Sequence, residues 1–245
     1  QMACFIGWMA YACFYTIREA MERGSRTVPL EDIVMVASII ATIYWFIMGT
    51  MMTAESPVLS RRVQRSLPRS YLGRLFLTWL NPGPGTGYVF AVANLASIAV
   101  IGFLAVVLVP YWSGLNTFRF ITLEQCIYFQ VLSLGYMIFY LGIGKYMIHV
   151  IRNFSPVPIA AAVLLQGFLI ALGCLIPFII QMTSQSPRNN DYSLLHASNL
   201  FWSLEEIVNS SVAISQQAPV LIVVIPGLAL FVFLLNFHTL VREVR

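Results

Sequence analysis

Five stretches of this chain, 33–54, 87–110, 125–144, 159–182 and 218–237, each run for about twenty residues without one Asp, Glu, Lys or Arg. At 1.5 Å rise per residue, about 20 residues carry an α-helix across a ~30 Å hydrocarbon core. No water is present there to satisfy an open backbone, so an isolated strand is excluded and each run must be a helix. Composition agrees: 59% of residues are hydrophobic and 10% are charged, with a mean hydropathy of +0.80, whereas soluble domains carry roughly 25% charged residues. The fold class that follows is all-α, a polytopic integral membrane helical bundle.

The opening residues QMACFIGWMAYACFYTI are also apolar, but they lack the basic flank and cleavage site of a signal peptide. They are expected to be the tail of a further span whose start is missing. The chain then forms a single transmembrane domain with spans over about 1–17, 33–54, 87–110, 124–148, 159–182 and 218–240. A 55–86 elbow and a 183–217 outer loop complete it. One set of loops, 55–86, 145–158 and 241–245, holds nine Lys or Arg; the other, 18–32, 111–123 and 183–217, holds five. An excess of basic residues marks the cytoplasmic side, so the elbow and the C-terminus are expected there. Cys4, Cys13, Cys126 and Cys174 lie in or beside apolar runs without paired spacing and read as small buried residues. His149 and His238 fall at span ends and His196 in the outer loop, so no two sit on one helix at bilayer depth to hold a haem.

The elbow is the polar exception. Five of the fourteen basic residues, Arg61, Arg62, Arg65, Arg69 and Arg74, fall within fourteen positions of it. At 100° per residue Leu59, Val63 and Leu67 form one stripe, and Arg61, Arg62, Arg65 and Arg69 take the opposite face. Pro68 interrupts this short amphipathic helix; Leu72, Leu75, Phe76 and Trp79 supply a second apolar stripe, and NPGPGTG turns the chain into the next span. Two roles fit: a lipid anchor, with arginines on phosphates and apolar stripes in the acyl boundary, or a docking element for a cytoplasmic protein. The GPGTG run lacks the Lys-Ser/Thr pair of a phosphate-binding loop.

Glu55 followed by LSRR and LPRSYLGRLF is similar to the acidic residue, short helix and P-x-S-x-x-x-G-K type pattern before the third span of ATP-binding cassette (ABC) type 2 exporter permeases, with Pro68, Ser70, Gly73 and Arg74 in the matching places. Arg74 stands where lysine is commoner, and the usual G-T-L-E run is absent. The order of elements resembles that family over nearly the whole chain: six spans, an amphipathic segment between the second and third, and a long loop between the fifth and sixth. The resemblance implies a dimeric pathway, homodimeric or heterodimeric, worked by a separate cytoplasmic ABC ATPase. In that arrangement Glu55, Leu59, Arg61, Arg62, Val63, Arg65, Leu67, Arg69 and Arg74 form the partner-coupling surface, and short re-entrant helices in the long loop close the outer end.

The spans themselves carry no ionisable residue at depth on this reading, since Glu124 and Lys145 bracket the fourth span at its ends. Ion-coupled carriers need such groups, so the energy is expected from outside. Asn94, Gln130 and Gln166 are the uncharged polar residues at depth, expected to hydrogen-bond between helices. Membrane enzymes need clustered ligands or a base beside a nucleophile. Glu205-Glu206 is the sole adjacent acidic pair of the second half and has no His or Arg close in sequence. In the outer loop, TSQSPRNNDY is turn-prone, while LLHASNLFWSLEEIVNSSVAI places Leu200, Leu204, Ile207 and Val208 on one helical face, as an interfacial cap would.

The expectation is therefore a permease subunit of an ABC-type exporter, itself no enzyme, with no cofactor and no nucleic-acid partner. Membrane lipid surrounds it in the cell membrane, the inner membrane of a prokaryote. The alternatives are a membrane-embedded scaffold of a larger complex and, third, a secondary carrier.

Overall fold

The computed structural model describes residues 7–8, 10–12, 14–15, 18, 22, 27–28, 30–54, 84–113, 116–117, 123–155, 157–184, 194–209 and 212–244. Six helices make up nearly all of this: α1 Leu30–Ala54, α2 Pro84–Ser113, α3 Leu123–Arg152, α4 Ile159–Ser184, the short α5 Leu200–Asn209, and α6 Val212–Val244. A 3-10 turn, Leu194–Ser198, precedes α5. Five helical stretches are long and apolar enough to cross a bilayer: Ile33–Ala54, Gly85–Leu108, Glu124–Arg152, Ile159–Thr183 and Ala218–His238. The chain is a multi-pass membrane protein, and these five agree with the runs legible in the sequence. The expected span over 1–17 lies largely outside the described residues. Those that are described there are helical, with Tyr11 and Tyr15 stacked at 6.2 Å and Arg18 paired with Glu22 at 2.7 Å.

Local chemistry sets the helix boundaries. Proline has no N–H to lose in a first helical turn and its fixed φ suits that position. Helix α2 accordingly begins at Pro84, within the stretch expected to be a turn. Helix α4 follows Pro158, whose carbonyl accepts the Ala162 N–H at 3.1 Å. Two-residue strands, β1 Thr27–Val28 and β2 Asn116–Thr117, pair in parallel with Thr27 opposite Asn116. They join the segments before α1 and after α2, which places both on the Glu124 end of the bundle, as the loop assignment required.

Helix α3 is the axis of the molecule. It packs against α1, α2, α4, α5 and α6, and 61% of its span is buried, against 11% for α4 and 28% for the span of α6. It is also the least hydrophobic of the five, with a mean hydropathy of 1.7 against 2.8 for the α6 span. These two facts have one cause. A polar side chain facing lipid has no partner, whereas one facing another helix can find a hydroxyl or a carbonyl. One core lies between α1, α2 and α3 around Trp45, Tyr88, Val92, Leu95 and Leu141. A second, around Phe129, Leu132, Tyr136, Ile207, Leu221 and Ile225, joins α3 to α5 and α6.

Helix α3 runs through to Arg152, so Lys145 lies within the helix and not in the loop expected from 145. Its side chain is only 5% exposed, with Nζ 5.6 Å from the centre of the Tyr88 ring. The quadrupole of an aromatic face attracts a cation in this geometry. The expectation of spans empty of ionisable groups therefore fails at Lys145. Seven residues on, the Arg152 guanidinium donates to the carbonyl of Ala54, the last residue of α1, and so caps a helix end whose carbonyls lack intrahelical donors.

Candidate functional site

The segment between α4 and α6 does not lie along the membrane surface as an interfacial cap. It turns back into the bundle. The Ser198 hydroxyl donates to the carbonyl of Gly173 at 3.0 Å, and Gly173 is ten residues before the end of its span at Thr183. Ten residues of helix rise about 15 Å, half the thickness of a ~30 Å hydrocarbon core. From there α5, ten residues long, climbs back until the carbonyl of Ile207 accepts Gln125 Nε2 at 3.1 Å, one residue into the α3 span.

Irregular backbone at this depth is tolerated only where its polar groups are satisfied by protein or water. Three consecutive carbonyls of the turn are satisfied by protein. That of His196 accepts the Asn199 N–H at 2.8 Å and the Ser203 hydroxyl at 3.2 Å. That of Ala197 accepts the Tyr136 hydroxyl at 2.6 Å, and that of Ser198 accepts the Tyr140 hydroxyl. Tyr136 and Tyr140 stand one turn apart on α3, which is why they reach neighbouring carbonyls. The start of α5 is capped as well: Asn199 Oδ1 accepts the Trp202 N–H at 3.1 Å, an N-cap.

His196 locks the turn sideways to α4. It is 0% exposed, with Nε2 2.7 Å from Gln181 Oε1 and its ring 4.3 Å from that of Trp202. A carboxamide oxygen only accepts, so with this amide orientation Nε2 carries the proton. The result is a re-entrant plug, held to α3 by two tyrosines and to α4 by Ser198 and His196. Close approach at Gly173 makes it possible, because a Cβ there would collide with the Tyr140 hydroxyl.

Two smaller polar places lie elsewhere in the bundle. Ser38, Thr42, Gln130 and Ser133 line a cavity of about 10 Å³ between α1, α2 and α3, near the minimum for one water. At the α3–α4 contact, Gln166 is 1% exposed and donates through Nε2 to the Tyr140 carbonyl at 2.7 Å, while its Oε1 has no hydrogen-bond partner. That oxygen lies against Gly144, where a Cβ has no room.

The coupling residues expected from the sequence, Glu55, Leu59, Arg61, Arg62, Val63, Arg65, Leu67, Arg69 and Arg74, lie outside the described residues. Of the three polar residues expected between helices, only Gln166 bonds across a helix pair. Asn94 donates to Phe90 of its own helix at 2.8 Å, and Gln130 reaches toward Cys126 of its own helix. Sequence reading missed Tyr136, Tyr140, Gln181 and His196. A signal was present in the first two: hydroxyls four apart on the least hydrophobic span mark a face that needs acceptors. Comparison with known proteins gives no match of any kind: no family model, no curated protein and no solved structure is similar to this chain.

Proposed function

We propose that this membrane protein is the transmembrane permease subunit of an ABC-type exporter, dimeric, driven by a separate cytoplasmic ATPase and resident in a prokaryotic inner membrane. The observation that supports it is the plug: a non-helical turn stapled at about mid-bilayer depth, between the helices that would be the fifth and sixth spans. The elbow resemblance implies re-entrant closure in that same loop. In this reading the plug holds the outer end shut and the 55–86 elbow couples it to ATP hydrolysis. Arg152 ties the root of the elbow, Ala54, to the central helix that carries the plug.

Purification of the tagged chain from its own membrane should bring ATP hydrolysis with it. Val63→Asp puts a charge in the apolar stripe of the elbow, and it should lose that activity while remaining inserted. An extract with no associated hydrolysis would sink the proposal. Buried Lys145 favours a second reading, a gradient-driven carrier, since a charge inside a span is costly and marks function. Ionophores separate the two: export by sealed vesicles supplied with ATP survives them in the first case and stops in the second.

A further inference from the structure

The plug is covered by α3, α4 and α6, and one side is left open. Ser198 and Phe201 are exposed, Phe201 at 65%, and Asn199 is half-buried. Lipid, a second copy of the chain and water are the possible neighbours of that side. Lipid is the poorest of the three. The backbone groups of the Ser198–Asn199 junction are paired within the protein, so the case against lipid rests on the Asn199 side chain at about half the depth of the core. Asn199 spends its carboxamide oxygen on the N-cap, and its Nδ2 makes no hydrogen bond among the described residues. Two N–H donors left in hydrocarbon would forgo their solvation, whereas water satisfies both. Phe201 stands beside this polar turn on the open side and bounds it with a large apolar surface.

We infer that the open side of the plug, Ser198, Asn199 and Phe201, lines a water-filled vestibule that enters from the Glu124 end of the bundle and reaches about mid-bilayer depth. This deepens the export reading by assigning the wall of its pathway, but it rests only on membrane insertion and the plug, not on the energy source. A vestibule with one polar carboxamide and one aromatic wall, and no formal charge on the three residues that line it, suits an amphiphilic solute of low charge.

Cysteine accessibility tests it without knowledge of the solute. In a background with Cys4, Cys13, Cys126 and Cys174 replaced by Ala, Ser198→Cys and Phe201→Cys are compared with Leu175→Cys. Leu175 is an exposed residue of α4 at the same depth, and at 100° per residue it sits about 200° around that helix from Gly173. The probe is a cationic, membrane-impermeant methanethiosulfonate added at the Glu124 side. Only the thiolate reacts, and hydrocarbon opposes both thiol ionisation and entry of the reagent, so the two plug cysteines should react at least about tenfold faster than Leu175→Cys. Rates at both plug positions no faster than at Leu175→Cys overturn the inference. So does disulfide-linked dimer formation by Ser198→Cys under mild oxidation, which would make a second copy the neighbour. Loss of ATP hydrolysis from the purified chain with fast labelling intact would remove the ABC reading and leave the vestibule standing.

Discussion

At the scale of single residues, the plug is held by hydroxyl groups that leave a buried carbonyl behind when removed. Tyr140→Phe keeps the ring and deletes the donor to Ser198 O; Tyr136→Phe does the same to Ala197 O. Each should cost about 1–3 kcal/mol, the desolvation penalty of an orphaned acceptor. The double variant should cost less than the sum, since a loosened turn no longer pins the second carbonyl. Thermal unfolding in detergent measures all three. Gly144→Ala must displace the Gln166 carboxamide and should destabilise by roughly 1–3 kcal/mol. Gln166→Met should stay within about 1 kcal/mol of the native chain by the same assay, because it removes one hydrogen bond and one unsatisfied oxygen together. Sequence reading found Gln166, since a carboxamide in an apolar run must have a reason. It could not separate Gln166 from Asn94, because whether a side chain bonds its own helix or the next depends on how the helices are rotated against each other.

Between elements, the difference lies in what each helix faces. Burial between transmembrane helices gains little from the hydrophobic effect, because lipid tails are as apolar as the neighbouring side chains. Packing is what remains. Leu164→Ala on the exposed face of α4 should change stability by no more than about 0.5 kcal/mol. Leu221→Ala, buried on α6 against α3 and α5, should cost about 2 kcal/mol through the cavity left behind. Similar unfolding temperatures for the two variants would contradict the central placement of α3. That placement was not legible in the sequence, where Glu124 and Lys145 read as the two ends of the fourth span. The helix continues to Arg152 because the Tyr88 ring and the surrounding helices cover that lysine.

For the whole molecule the prediction concerns sidedness. The β1–β2 pair puts the segments before α1 and after α2 at one end, so Ala54 and Pro84, which flank the elbow, lie at the other. Gln64→Cys should resist an impermeant thiol reagent in intact cells, and Asn189→Cys should react. The reverse pattern would turn the protein over in the membrane and place the mouth of the plug in the cytoplasm.

The sequence alone determined that this chain crosses a membrane as helices, and where five of them run. Twenty uncharged residues in hydrocarbon have only one way to satisfy their backbone, and that constraint is local. Tertiary structure decided the rest of what is described: that α3 is the axis, that Lys145 is inside, and that the loop after α4 dives back into the bundle. Those outcomes depend on partners far apart in the chain. Tyr140 meets Ser198 across 58 residues and Arg152 meets Ala54 across 98. A polar turn at bilayer depth looks in sequence like any surface loop until the tyrosines that receive it are in place.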